Sequence, residues 1–142
     1  WLTGIDEAGR GPCLGPLVVG VVRIPEADLH LLEEAGITDS KLLSPARRDE
    51  LYGWLHEQRD DRGWSIASIA AQPELIDNWM AHGSLNELEV DLFASSANVA
   101  ISFTQRTEKG TLVLDACDVN ASRFGDLVAS RLVGWPWQNW RI

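Results

Sequence analysis

Gly4-Ile5-Asp6-Glu7-Ala8-Gly9-Arg10-Gly11-Pro12, followed closely by Gly15-Pro16-Leu17-Val18-Val19, is the stretch on which the fold turns. Leu2 to Asp6 reads as a short buried strand, ended by Gly9, Gly11 and Gly15 together with Pro12 and Pro16. Leu17 to Ile24 is apolar and β-branched, the pattern of a strand covered on both faces, and Pro25 stops it. Asp6 and Glu7 therefore fall where the first strand ends. Neighbouring side chains of a regular strand point to opposite faces, so both carboxylates converge only at a strand end or a bulge. The glycines behind them supply such an end. An isolated Asp-Glu pair is most often a solvated acidic turn; the surrounding residues decide otherwise here.

Working outward, Ala27 to Ala35 reads as a short helix stopped by Gly36, and Ile37 to Leu43 as a loop. Ser44 at an N-cap position with Pro45 behind it opens a helix to about Gln58. Trp64 to Ala70 alternates as a strand, and Pro73 opens a brief helix that Gly83 closes. Ser84 and Glu87 have the spacing of a capping box for a long helix to about Phe103. Thr111 to Asp115 is an apolar strand, Ser122 to Leu132 a helix, and a last strand begins near Trp140. Two adjacent strands, then helices with further strands between them, predict an α/β fold with a mixed central sheet flanked by helices. One domain over residues 1–142 is expected, long enough for a sizeable core. The final strand halts at the terminus, so the domain is expected to be incomplete at its C-terminus.

Asp115 closes the apolar run Leu112-Val113-Leu114, and Asp118 lies three residues on. An acid at the tip of a buried strand suits a metal or catalytic position, although helix-capping aspartates look alike. Asp6 and Asp115 at one edge of one sheet would make an all-oxygen site, which suits Mg2+ or Mn2+ rather than zinc. In Gly9-Arg10-Gly11-Pro12 the glycines let backbone approach a ligand closely, and arginine can clasp a phosphate bidentately. No Gly-Lys-Ser/Thr follows, which excludes a nucleotide-hydrolase phosphate loop.

Acids outnumber bases 21 to 12, for a net charge of −9, and Lys41 and Lys109 are the only lysines. This fits an ordinary acidic protein or adaptation to molar salt. At about 1 M salt the Debye length is roughly 3 Å, so long-range repulsion of a polyanion would be screened. Acidity is no veto on nucleic-acid binding. No apolar run reaches the roughly 18 residues of a spanning helix, so no membrane association is expected. No charged start leads into a hydrophobic run, and Cys13 and Cys117 fit neither a disulfide framework nor a zinc site. A cytoplasmic monomer is expected.

The opening stretch as a whole resembles the signature of type 2 ribonuclease H (RNase HII). Asp39-Ser40-Lys41-Leu42-Leu43-Ser44, Leu85-Asn86-Glu87 and Leu114-Asp115-Ala116-Cys117-Asp118-Val119-Asn120 agree with it in order, the last in an archaeal or eukaryotic form. The resemblance spans essentially the whole chain. It implies a ribonuclease H-like fold and hydrolysis of the RNA strand of RNA–DNA hybrids, including single ribonucleotides embedded in DNA. Asp6, Glu7 and Asp115 match three of the family's four metal-binding carboxylates. Gly9, Arg10 and Gly11 match its sensor of the ribonucleotide 2′-hydroxyl, the group that marks RNA against DNA. Ser40, Lys41 and Asn86 match segments that reach the substrate backbone. Metal ions about 3.5–4 Å apart would activate a water and neutralise the leaving oxygen, giving 5′-phosphate and 3′-hydroxyl ends. The fourth carboxylate and a ribose-stacking tyrosine would lie beyond Ile142, so a truncated chain with little cleavage of its own is implied.

Two other readings stay open: a binding-only hybrid module, and another ribonuclease H-like nuclease or recombinase, against which Gly9-Arg10-Gly11 argues. His30, His56 and His82 have no ligand spacing. Trp54, Trp64 and Trp79 read as core or its edge. Trp135, Trp137 and Trp140 read as apolar surface for an absent C-terminal part rather than a base-stacking platform. Oxidation could pair Cys13 with Cys117, although buried, inert thiols are the plainer reading.

Overall fold

The computed structural model describes residues 1–9, 15–116 and 118–142. A five-stranded sheet in the order β3-β2-β1-β4-β5 is its centre. Strand β1 (Leu2–Ala8) pairs antiparallel with β2 (Leu17–Ile24), which pairs antiparallel with β3 (Ser65–Ala71). On its other side β1 runs parallel to β4 (Gly110–Leu114), and β4 runs parallel to β5 (Trp140–Arg141). The mixed sheet is as expected.

Six α-helices are described. They are α1 (Leu29–Ala35), α2 (Pro45–Arg62), α3 (Pro73–Met80), α4 (Leu85–Ala100), α5 (Phe103–Arg106) and α6 (Ala121–Ser130). Helix α4 is the one that makes the core. It lies against β1, β2 and β3 and buries Leu88, Val90, Phe93, Ala97 and Ala100. Its Phe93 meets Phe124 of α6 edge to face at 5.1 Å, which joins the two helices over the same side of the sheet. Among the described residues no helix is long and apolar enough to cross a membrane.

Several boundaries differ from the sequence reading, each for a local reason. Along β2, Leu17, Val19 and Val21 are buried while Gly20 is exposed, so this strand alternates instead of being covered equally on both faces. Helix α4 ends at Ala100 because Ser102 starts a new helix, α5, with a complete capping box to Gln105. At Ser84 one half of the expected box is present: the hydroxyl accepts from the Glu87 N–H at 3.2 Å. Trp137 and Trp140 belong to the core instead of waiting to be covered, with Trp135 packed half-buried against it. The three rings stack edge to face at 5.1 and 5.4 Å, and the Arg106 guanidinium lies 4.7 Å from the Trp137 ring. Trp64 is buried too, its indole N–H bonded to Asp28 Oδ2 at 2.8 Å.

Candidate active site

Strands β1 and β4 carry their acids to the same end of the sheet. Their parallel register places Ile5 beside Leu114, and the Asp115 N–H donates to the Ile5 carbonyl at 3.0 Å, one step beyond the last paired residues. Asp115 thereby comes to rest next to Asp6. The strand does not end at Asp6, however. Its pairing with β2 runs on without a bulge through Asp6, Glu7 and Ala8, opposite Gly20, Val19 and Val18. What ends there is the β4 side of the pairing, and the opening it leaves is a cleft of about 750 Å³.

Asp6, Glu7, Gly9 and Asp115 line that cleft together with Thr38, Asp39, Ser40 and Lys41 of the loop before α2. The Asp6 carboxyl is held above the ordinary carboxylate range. Partial desolvation is the main cause although the residue is exposed, because lost water penalises the charged form, and the Glu7 carboxylate adds to it. Two hydrogen bonds pull the other way, one with the Asp115 side chain and one from the Glu7 N–H to Asp6 Oδ1 at 2.7 Å. Asp6 thus touches both other acids. Gly9 has a positive φ of 86°, and a Cβ there would strike the Pro16 carbonyl oxygen.

The oxygens of Asp6, Glu7 and Asp115 are the donor type that magnesium and manganese take. Among the described residues no three His, Cys, Asp or Glu side chains form a group that could hold an ion by themselves. The fit is one of donor chemistry and open coordination. An ion here would complete its shell with waters or substrate oxygens, the habit of magnesium.

Asn86 does not share this cleft. It lines a separate cavity of about 240 Å³ between α4 and α6, with Asp118 and Arg123. Asp118 itself serves the turn before α6: Oδ1 accepts from the Asn120 N–H at 3.0 Å, and Oδ2 lies 3.8 Å from Arg123 Nε. Arg10 and Gly11, and the suggested pairing of Cys13 with Cys117, lie outside the described residues. Sequence reasoning named no role for Thr38 and Asp39, which join the cleft wall. The available signal was an aspartate two residues before Lys41 in a loop, the spacing of an Asx turn.

The chain matches the family model described as Ribonuclease HII over residues 3–124. It is 36% identical over 132 residues to Ribonuclease HII of Methanococcus maripaludis strain C6, covering 93% of this chain and 52% of that one. To Ribonuclease HII of Pyrococcus furiosus it is 41% identical over 129 residues, covering 91% and 53%. The crystal structure of ribonuclease H2 from Pyrococcus horikoshii OT3 superposes with a TM-score of 0.73 at 32% identity, covering 93% of this chain and 57% of that one. The chain spans about half the length of the curated relatives it matches.

Proposed function

The chain belongs to the ribonuclease HII family and has its ribonuclease H-like fold, and from that premise we propose that it is an endoribonuclease acting on RNA–DNA hybrids and on single ribonucleotides in duplex DNA. The observation that carries the reading is one cleft lined by three acids and a lysine: Asp6, Glu7 and Asp115 together with Lys41. That pairing suits a phosphodiester backbone, whose charge needs a cation on one side and metal ligands on the other.

Asp6, Glu7 and Asp115 would hold Mg2+ or Mn2+, which when bound would activate water and neutralise charge on the leaving 3′-oxygen. Lys41 binds a backbone phosphate and sets the strand's path along the cleft, with the Ser40 hydroxyl as a neighbouring donor. The bare Cα of Gly9 lets the sugar edge approach the backbone. Arg10 and Gly11 follow Gly9 in sequence and carry the reading of the 2′-hydroxyl. Asn86, in its own cavity at the start of α4, would serve a more distant part of the duplex. A monomer in the cytoplasm remains our reading of assembly and location.

A binding-only module is the second reading. It would hold a hybrid through Arg10 and Lys41 without cutting it, and Lys41 lines the cleft. Binding and cleavage assayed side by side separate the two. The substrate is a DNA duplex carrying one ribonucleotide, with magnesium or manganese at low and at molar salt. Metal-dependent cutting on the 5′ side of the ribonucleotide supports the nuclease; tight binding without cutting supports the module. Equal, weak affinity for that duplex, a hybrid and plain DNA would remove both.

A further inference from the structure

We propose that Asp39 is a positioning residue, fixing the turn from which Lys41 faces the acid cleft; the inference rests on the hybrid-binding reading above. The loop between α1 and α2 is tied at both ends. Gly36, at φ 85°, ends α1, and Arg47 of α2 reaches back to the Ala35 carbonyl at 2.6 Å. At the other end Arg48 Nε bonds the Leu43 carbonyl at 3.2 Å, and Ser44 caps α2 through the Arg47 N–H at 3.1 Å. Between these anchors lies a single 3-10 turn, Ser40–Leu42. Asp39 closes it: Oδ1 accepts from the Lys41 N–H at 3.1 Å, and its carbonyl accepts from the Leu42 N–H at 2.9 Å. The residue that caps the turn is therefore bonded to the backbone of the residue that would meet the phosphate.

Charge and geometry make opposite demands on Asp39. Among the described residues it is one of four acids lining the cleft, with Asp6, Glu7 and Asp115, beside one base, Lys41. If its charge were what mattered, removing it would ease the approach of a polyanion and tighten binding. If its hydrogen bond matters, removing the acceptor frees the turn, and the ordering of Lys41 must then be supplied on binding. Asparagine separates the two, because it keeps the acceptor and loses the charge.

The test is the affinity of the whole chain for a fluorescein-labelled RNA–DNA duplex at low salt, in EDTA so that no divalent ion contributes. Asp39→Ala is expected to weaken binding about fivefold, the equilibrium worth of one capping bond, despite carrying one negative charge fewer. Asp39→Asn is expected to bind at least as tightly as the unaltered chain. In a Lys41→Ala background, Asp39→Ala is expected to cost nothing further. Amide exchange at Lys41 is expected to quicken in the alanine variant alone, with the melting temperature falling by no more than the few degrees that one lost cap implies. Tighter or equal binding by Asp39→Ala overturns the proposal, and so does an equal loss in Asp39→Asn, which would give the carboxylate a charge or metal role. No duplex binding by the unaltered chain removes the functional reading and this proposal together, whereas binding that Asp39→Ala leaves untouched removes this proposal alone.

Discussion

The two ends of the sheet handle charge in opposite ways. Where β1 and β4 begin, two arginines are buried and met by carbonyls and rings, although the Nε of Arg23 finds no hydrogen-bond partner among the described residues. Arg106 donates to the carbonyls of Ile101, Val133 and Asn98 at 3.1–3.2 Å and lies over the rings of Phe103 and Trp137. Arg23 donates to Ala100 and Gly63 at 3.1 and 2.9 Å and stacks on Trp1. Where the same strands finish, acids crowd one another instead, and Asp6 is held in a form that resists ionisation. Neutral dipoles and aromatic faces can settle a lone cation without adding a second charge. Among the described residues lining the cleft, Lys41 is the cation beside the clustered carboxylates. On the proposed reading, the first end serves stability and the second a ligand.

The contrast breaks most readily at Arg106. Arg106→Met should lower stability by about 3 kcal/mol, because three carbonyls lose their donor in a buried setting. Chemical denaturation would show it, and manganese affinity should stay within a factor of two of the unaltered chain, on the order of experimental scatter. Asp6→Asn should do the reverse. Metal affinity should fall on the order of a hundredfold, while the melting temperature in metal-free buffer holds or rises, since a crowded charge is gone and the acceptor for the Glu7 N–H is kept. Calorimetric titration with manganese and a thermal scan of the same sample check both halves. A loss of stability in Asp6→Asn would mean that the acids support the fold.

What the sequence revealed and concealed follows the same division. Acids at the tips of apolar runs were legible at Asp6 and Asp115, because a buried strand that finishes on a carboxylate is a local pattern. That β1 continues through Glu7 was not, because the extra pairing comes from Val18 and Val19 across the sheet. The membership of Trp137 and Trp140 in the core depends on Arg106 and on the close approach of Trp140 to Gly110, contacts between segments distant in sequence. The end of α4 was misplaced because an apolar run hid the stronger cap at Ser102. Asn86 lies in a second cavity because α4 presents its first turn toward α6, which no spacing within one helix can disclose.

A smaller effect sharpens the ligand side of the contrast. Lys41→Ala should weaken hybrid binding about threefold to tenfold and flatten the dependence of log affinity on log salt by about one unit or less, the signature of one lost phosphate contact. Anisotropy titrations across a range of salt read both quantities, and an unchanged slope would detach Lys41 from the backbone path.

Manganese-induced broadening of amide and indole NMR signals tests the central claim most directly. Added in small amounts to the unaltered chain, the ion should first erase the amides of Asp6, Glu7 and Asp115 and those of the loop lining the same cleft, Thr38 to Lys41. The indole signals of Trp137 and Trp140, at the opposite end of the sheet, should stay sharp, and Asp6→Asn should abolish the selective loss. Broadening that spreads evenly over the acidic surface, or that persists in Asp6→Asn, would contradict a metal-binding cleft at the ends of β1 and β4.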